Sequence, residues 1–120
     1  MRITRDLTFF VMVTTIAAGS ALGHHALGTE YDLTRSVRLT GTVAKVEWAN
    51  PHVRLYLDAN GAGSGDVMHW ELEMASPNLL ILNGLKIDSL RLGDMVTVSA
   101  NPARDGSNSG YARTIRRGAR

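Results

Sequence analysis

A glycine-rich loop between two stretches of alternating apolar and polar residues is the feature that most restricts how this chain can fold. The loop covers residues 60–65, and its content of Gly, Ser and Asn is typical of a connection between strands. On both sides of it, apolar side chains occupy every second position, which is the period of a strand with one buried face. These positions are Val53, Leu55, Leu57, Met68, Trp70, Leu72 and Met74. The sequence therefore predicts a β-hairpin, whose arms are the second and third strands of the domain.

A long, bent first strand is predicted upstream of the hairpin. Its apolar positions are odd-numbered up to Val43 and even-numbered from Val46 onward. Because side chains alternate between the two faces of a strand, the inward face has to switch near residues 44–45 through a bulge or a sharp bend. Gly41, near the middle of the strand, also indicates strong curvature. Such a strand can serve two sides of a small barrel.

One short helix and two further strands complete the predicted order. Ser76 is suited to cap a helix, Pro77 to occupy its first turn, and Gly84 to end it. Strand patterns follow at residues 95–100 and 111–116. The order strand, strand, strand, helix, strand, strand predicts an all-β fold with one short helix, namely a five-stranded OB-fold-like Greek-key barrel. An open β-sandwich fragment is the alternative.

The N-terminus predicts export. Arg2 and Arg5 precede an uncharged, apolar or small stretch over residues 7–22, which is the pattern of a secretory signal. The stretch is shorter than the roughly 20 apolar residues of a membrane-spanning helix. We therefore expect residues 1–23 to be a cleavable signal peptide and residues 24–120 to form a single β domain, periplasmic or secreted, without a stable membrane anchor after cleavage. A retained anchor is the alternative.

Cysteine content and charge restrict the function further. The chain has no cysteine, so neither a disulfide scaffold nor a lipid-modified cysteine is available. Its 13 Lys and Arg residues nearly balance its 11 Asp and Glu residues. We interpret the C-terminal arginines as a solvated end and, for an exported protein, expect no nucleic-acid partner. These arginines are Arg113, Arg116, Arg117 and Arg120.

The histidines are the candidate metal ligands. Cleavage before His24 would let its new α-amine and its Nδ1 chelate a metal, with His25 or His52 adding an imidazole, which resembles the histidine brace that holds copper in other exported proteins. Cleavage before Leu22 would place His24 third in the mature chain, an arrangement suited to Cu(II) or Ni(II). We therefore predict a metal site at His24, His25 and His52, with copper as the candidate cofactor. A polar N-terminus with incidental histidines is the alternative.

The outward positions of the hairpin, with the segment before it, form a candidate ligand-binding face. On this face Arg54 could bind an anion, or His52, His69 and Glu73 could bind a metal; ordinary cross-strand salt bridges are the alternative. Pro51 restricts its own φ and so fixes where His52 leaves the turn. The residues predicted for this face are Trp48, Asn50, Arg54, Tyr56, His69, Glu71 and Glu73.

The pairing of the two hairpin arms decides which of these side chains meet. We expect Asp58 to lie opposite Val67, which places His52 opposite Glu73 across the strands. A register that slips by two residues is the alternative.

The chain resembles a family of small exported bacterial proteins that is known only as a domain of unknown function. The resemblance covers nearly all of the mature chain and implies a periplasmic location and a small β-barrel, with no activity or ligand to carry over. It rests on His24-His25, Tyr31-Asp32, Gly41-Thr42-Val43, Trp48-Ala49-Asn50-Pro51-His52, Trp70 with Glu73, Ser76-Pro77, Gly84, Gly93-Asp94-Met95-Val96 and Arg104-Asp105-Gly106.

These observations favour a periplasmic, non-catalytic module that binds a small ligand or a metal ion. The chain has no nucleophile-elbow motif and no glycine-rich phosphate loop that enters a helix, so we predict no enzymatic activity. A protein-interaction or assembly module of the cell envelope is the alternative. It would offer an edge strand and the polar hairpin face to a periplasmic protein partner, with incidental histidines. A copper oxidase-like site at the N-terminus is a third hypothesis.

Overall fold

A computed structural model of the chain describes residues 26–60 and 65–119. Residues 26–30 are helical, and residues 31–120 belong to a separate compact unit. The predicted signal peptide, His24 and His25 lie outside the described residues. None of the helices described is long and apolar enough to cross a membrane. The elements of the compact unit are β1 (Val37–Glu47), β2 (Arg54–Asn60), β3 (Val67–Glu73), α1 (Pro77–Leu82), β4 (Met95–Pro102) and β5 (Ser109–Arg117).

The five strands form a closed barrel in the order β1-β2-β3-β5-β4. All neighbouring strands are antiparallel except β3 and β5, which are parallel. This architecture, with one short helix between β3 and β4, confirms the predicted OB-fold-like barrel. The open sandwich fragment is wrong because the sheet closes on itself.

Strand β1 closes the barrel because it pairs with two strands over adjoining parts of its length. Gly41 lies opposite Ala59 of β2 and also opposite Val96 of β4. The register on β2 shifts between Val43 and Lys45, which is the predicted bulge. The apolar alternation before and after the bulge can therefore face the same core.

The core is built from the inward positions that the alternation identified. Leu55, Leu57 and Leu72 are at most 1% exposed, and β4 adds Val96 and Val98. The apolar series on β3 is less buried toward its start, where Met68 is 38% exposed. The reason is that β5 pairs with β3 only from Glu71 to Glu73, so residues 67–70 have no described strand on that side.

Helix α1 is bounded as its sequence predicts. The Ser76 side chain accepts a hydrogen bond from the Leu79 amide, and Pro77 occupies the first turn. Beyond the helix, Gly84 has φ +91°, a conformation that side chains other than that of glycine rarely adopt. Ser76, Pro77 and Gly84 thus bound the helix within the connection from β3 to β4.

The C-terminal arginines lie in the last predicted strand. Arg113, Arg116 and Arg117 belong to β5, which pairs with β4 from Pro102 back to Val96, and all three are exposed, as expected of solvated arginines. The register of this pair shifts between Ser99 and Ala100, a bulge that the sequence pattern did not indicate.

We expect Gly41→Ala to lower the free energy of unfolding, measured by urea denaturation, by about 2–3 kcal/mol. The new methyl group would collide with the backbone of β2, and such overpacking is destabilising. A Cβ at position 41 would lie 2.7 Å from the Ala59 Cα atom, which is backbone and cannot move aside. The control is Gly118→Ala, where the nearest atom to the new methyl is the Met95 carbonyl oxygen at 3.5 Å. That variant should stay within about 0.5 kcal/mol of the wild type. Equal stability of Gly41→Ala and the control would contradict the close approach of β1 and β2.

Candidate functional site

The chain enters the barrel at Tyr31, whose side chain is buried with 4% exposure. Tyr31 forms an isolated bridge with Ala103, and its hydroxyl donates a hydrogen bond of 2.7 Å to Glu73 Oε2. Its ring lies 6.0 Å from that of Tyr111, measured between centroids. Glu73 and Tyr111 are themselves partners in the ladder between β3 and β5. The segment before β1 is thus attached where the barrel closes.

His52 lies next to Glu73 on the same side of the barrel. Its Nδ1 is 3.0 Å from the Met74 carbonyl oxygen, and a carbonyl can only accept, so Nδ1 donates. In a neutral imidazole the other nitrogen, Nε2, then carries the lone pair. This atom is 3.6 Å from Glu73 Oε1. The His52 side chain is 43% exposed and that of Glu73 is 13% exposed, so the pair is reachable from solvent.

The two atoms that face each other are suited to share a cation. Ligand atoms about 2.0–2.1 Å from the same ion are at most about 4 Å apart, and the 3.6 Å between Nε2 and Oε1 is within this limit. Each group also makes a hydrogen bond through its other polar atom: His52 Nδ1 donates to the Met74 carbonyl, and Glu73 Oε2 accepts from the Tyr31 hydroxyl. Hydrogen bonds of this kind orient metal ligands. Within residues 26–60 and 65–119, no three His, Asp or Glu side chains are grouped for a metal. His52 and Glu73 thus present two donor atoms to the same point, with no third such side chain beside them among these residues.

The expected register of the hairpin is wrong by two residues. Asn60, rather than Asp58, lies opposite Val67, because β2 continues further into the loop region than its apolar pattern indicated. Arg54 consequently lies opposite Glu73 in the ladder. The slipped register that we kept as the alternative is the observed one.

Arg54 and His52 each reach a carboxylate diagonally across the two strands. Arg54 Nη1 lies 2.5 Å from Glu71 Oε1, and His52 reaches Glu73 as described above. The hydrogen bond and charge of Glu71 raise the pKa of Arg54. Because Arg54 is already paired, it is not a free cation for an anionic ligand.

His69 lies at the far end of the hairpin from His52. Its side chain is 83% exposed, and its Nδ1 lies 2.5 Å from Asp58 Oδ1.

Tyr56 is surrounded by charged groups in the middle of the hairpin face. The Lys45 ammonium lies 5.2 Å from its ring centroid and 2.7 Å from Glu47 Oε1. Burial, followed by the carboxylates of Glu71 and Glu47, raises the pKa of the Tyr56 hydroxyl. The hydrogen bond from Lys45 lowers the pKa of Glu47. Most charges of this face are therefore compensated by a neighbour.

The other predicted residues lie beside this face. Trp48 is half-buried and packs against the core, as does Trp70, whereas Asn50 is exposed in the turn. The Asn50–Pro51 peptide is cis. The structure brings together His52, Glu73 and Tyr31, of which sequence patterns identified only the first two. Tyr31 lies 42 positions from Glu73, and no local periodicity marks such a contact.

The comparisons with known proteins concern the family and the fold. Residues 12–113 match a family of unknown function (DUF6152). No curated protein matches the chain. The predicted resemblance to a domain of unknown function is thereby confirmed.

Similar solved structures include the mitochondrial single-stranded DNA-binding protein Rim1 of S. cerevisiae. Its second crystal form has a TM-score of 0.53 at 14% identity, covering 69% of this chain and 92% of that one. Its first form has a TM-score of 0.50 at 15% identity, covering 69% and 91%. This likeness shows a shared fold. The expectation that nucleic acid is excluded as a partner is wrong, because the barrel shares its fold with a protein that binds single-stranded DNA.

We expect Tyr31→Phe to lower the free energy of unfolding by about 1–2 kcal/mol, because it removes only the hydroxyl that donates to the Glu73 carboxylate. Tyr56→Phe is the matched control, since the hydroxyl of Tyr56 makes only a long contact of 3.4 Å with Glu47 Oε2. Its effect should stay below about 0.5 kcal/mol. Chemical denaturation of both variants measures the difference, and an equal effect would argue against a special role for the Tyr31 contact.

Proposed function

The chain belongs to the DUF6152 family of unknown function. Because the family supplies no activity, we propose a function from the chain's own side chains: an exported, non-catalytic module that binds one transition-metal ion such as Cu(II). The observation that supports this most is the His52–Glu73 pair. Nε2 and Oε1 face each other at 3.6 Å, and the remaining polar atoms of both groups are engaged elsewhere. An imidazole and a carboxylate oriented in this way are common ligands of transition metals.

The N-terminal histidines are the proposed source of the remaining ligands. A copper ion bound by two side chains has open positions, and His24 and His25 are the additional imidazoles that the sequence offers. His25 precedes Tyr31 by six positions. Tyr31 in turn donates to Glu73, so the histidines and the His52–Glu73 pair are connected by a short segment of chain.

Export and lack of catalysis are parts of the same proposal. The charged start and apolar stretch of residues 1–23 support a cleavable signal peptide, and periplasmic or secreted copper-binding proteins meet the metal outside the cytoplasm. Cleavage before His24 adds an α-amine to the ligand set, whereas cleavage before Leu22 adds backbone amides. The copper oxidase-like hypothesis is not part of the proposal, because the described site offers no group for substrate chemistry beyond the two ligands.

Nucleic-acid binding enters as a property of the structural neighbours. Rim1 binds single-stranded DNA, and its OB barrel is similar to this one. On the hairpin face of this chain, however, Arg54 is paired with Glu71 and Lys45 with Glu47. A face with paired charges offers little attraction to phosphates, whose neutralisation by free Lys and Arg side chains dominates such binding. A polyanion would therefore need another surface of the barrel.

An assembly module is the second candidate function, and one observation favours it. Residues 67–70 of β3 have β2 on one side and no described strand on the other. Val67 at this edge is 55% exposed. An exposed strand edge can accept an extended segment of a partner through backbone hydrogen bonds. Replacing Met68 by Lys should block such pairing, whereas His52→Ala should leave it intact.

The metal proposal predicts that the natively exported chain binds one Cu(II), measured by native mass spectrometry and by competitive titration. His52→Ala and His24→Ala should each weaken the affinity at least about tenfold, because each removes an imidazole ligand. The intact mass also gives the mature N-terminus, which decides between the two cleavage sites.

His69→Ala is the matched control, since it removes an exposed histidine of the same hairpin, which pairs with Asp58 at the other end of the strands. Its copper affinity should equal that of the wild type. Absence of copper binding at micromolar metal, or equal losses in His69→Ala and His52→Ala, would overturn the proposal. Copper that depends on His24 but not on His52 would also count against a site on the barrel.

A further inference from the structure

A groove on the outer face of β1, β4 and β5 has a composition unlike that of the hairpin face. It has a volume of about 460 Å³ and is lined by Arg38, Thr97, Ser99, Thr114, Ile115 and Arg116. Apart from Ile115, every lining side chain carries a hydroxyl or a guanidinium group. The groove thus presents hydrogen-bond donors and positive charge.

The bulge in β5 places these side chains together. Ser99 pairs with Thr114 and Ala100 with Ala112, so Arg113 is the extra residue. After it, Ile115 takes the inward position opposite Val98, and Thr114 and Arg116 point outward. Without this extra residue, Thr114 and Arg116 would face inward and Ile115 outward.

The three strands that form the groove carry no carboxylate beside it. Neither β4 nor β5 contains an acidic residue, and the one carboxylate of β1 is Glu47, which lies beyond the bulge and binds Lys45. Arg38 and Arg116 are exposed, and neither makes an ion pair with any described residue. The hairpin face pairs its basic side chains with carboxylates, whereas the guanidinium groups of Arg38 and Arg116 remain available to a ligand.

The ladder fixes the spacing of the two arginines. Arg38 lies opposite Ser99, and Arg116 lies opposite Thr97, on the two sides of β4 and two residues apart along it. Strand spacings place their Cα atoms about 12 Å apart, so their long side chains can converge over the hydroxyls between them. Each guanidinium can donate two parallel hydrogen bonds to one oxyanion.

Hydroxyl groups supply additional donors at the floor of the groove. Thr97 Oγ1 lies 3.2 Å from Thr40 Oγ1, and Ser99 Oγ lies 2.8 Å from Ser36 Oγ. In each pair one hydroxyl hydrogen serves the other oxygen, so one remains to be donated to a ligand. Floor hydroxyls and flanking guanidinium groups are the donors that tetrahedral oxyanions accept.

From these observations we infer that the groove bounded by Arg38 and Arg116 binds a phosphate group, with Thr97, Ser99 and Thr114 as hydroxyl donors. Its volume exceeds that of one phosphate ion, which leaves room for the organic part of a phosphorylated ligand or for adjoining phosphodiesters. The site is independent of His52 and Glu73, so it stands whether or not the barrel binds a metal.

The test is calorimetric and NMR titration of the exported, metal-free protein with inorganic phosphate in a phosphate-free buffer. We expect saturable binding, weakened at least about tenfold by Arg38→Gln and by Arg116→Gln. Arg91→Gln is the control: it removes the same charge from an exposed turn outside the groove and should leave the affinity unchanged. His52→Ala should also leave it unchanged, which separates this site from the metal proposal.

A parallel titration with a single-stranded oligothymidylate distinguishes the source of the phosphate. Tighter binding of the oligonucleotide, with the same dependence on both arginines and a steep decrease with salt, would identify a phosphodiester chain as the ligand. Binding of inorganic phosphate alone would identify a small phosphorylated compound. No saturation by either probe up to about 10 mM, or an equal loss in Arg91→Gln, would overturn the inference.

Discussion

The double pairing of β1 is the constraint on which the rest of the barrel depends. At Gly41 the same residue lies opposite a residue of β2 and a residue of β4, and the backbone of β2 occupies the space that a side chain would need. Two residues later the strand bulges, so its second half can follow β2 while its apolar residues continue to face inward. A straight β1 would still join β2 and β4, but the sheet would be less curved, and neither the hairpin face nor the groove over β4 would have its present shape.

Closure on the opposite side depends on a much smaller contact, and the candidate metal site lies there. Strands β3 and β5 pair over only three residue pairs, of which the last joins Glu73 and Tyr111. Tyr31 contacts both residues, since its hydroxyl binds Glu73 and its ring lies near Tyr111. The carboxylate beside His52 is therefore positioned by the residues that complete the barrel. The same short pairing leaves the first half of β3 as an edge, so the two candidate functions of this side have one structural origin.

The sequence was sufficient for the fold wherever a pattern is local. Period-two alternation identified the strands, a change of phase identified the bulge in β1, and Ser76, Pro77 and Gly84 identified the helix ends. The hairpin register was wrong because polar residues at the end of β2 look the same in a strand and in a loop. The partnership of Tyr31 with Glu73 could not be predicted, because it joins distant segments through a single hydrogen bond. Period-two alternation also could not predict which arginines of β5 face the groove, because a bulge interrupts the alternation between Ala112 and Thr114.

The distribution of charge explains why an argument from net charge failed. The chain as a whole has a formal charge of only +2, which by itself gives little reason to expect an anionic partner. The barrel does not spread its charges evenly. The hairpin carries Asp58, Glu71 and Glu73, and the end of β1 carries Glu47, each beside a basic partner, whereas the strands β4 and β5 carry no carboxylate. Attraction of an anion depends on the charges within about a Debye length of it, roughly 10 Å, rather than on the sum over the chain. A nearly neutral barrel can therefore have one face suited to a cation and another suited to a phosphate.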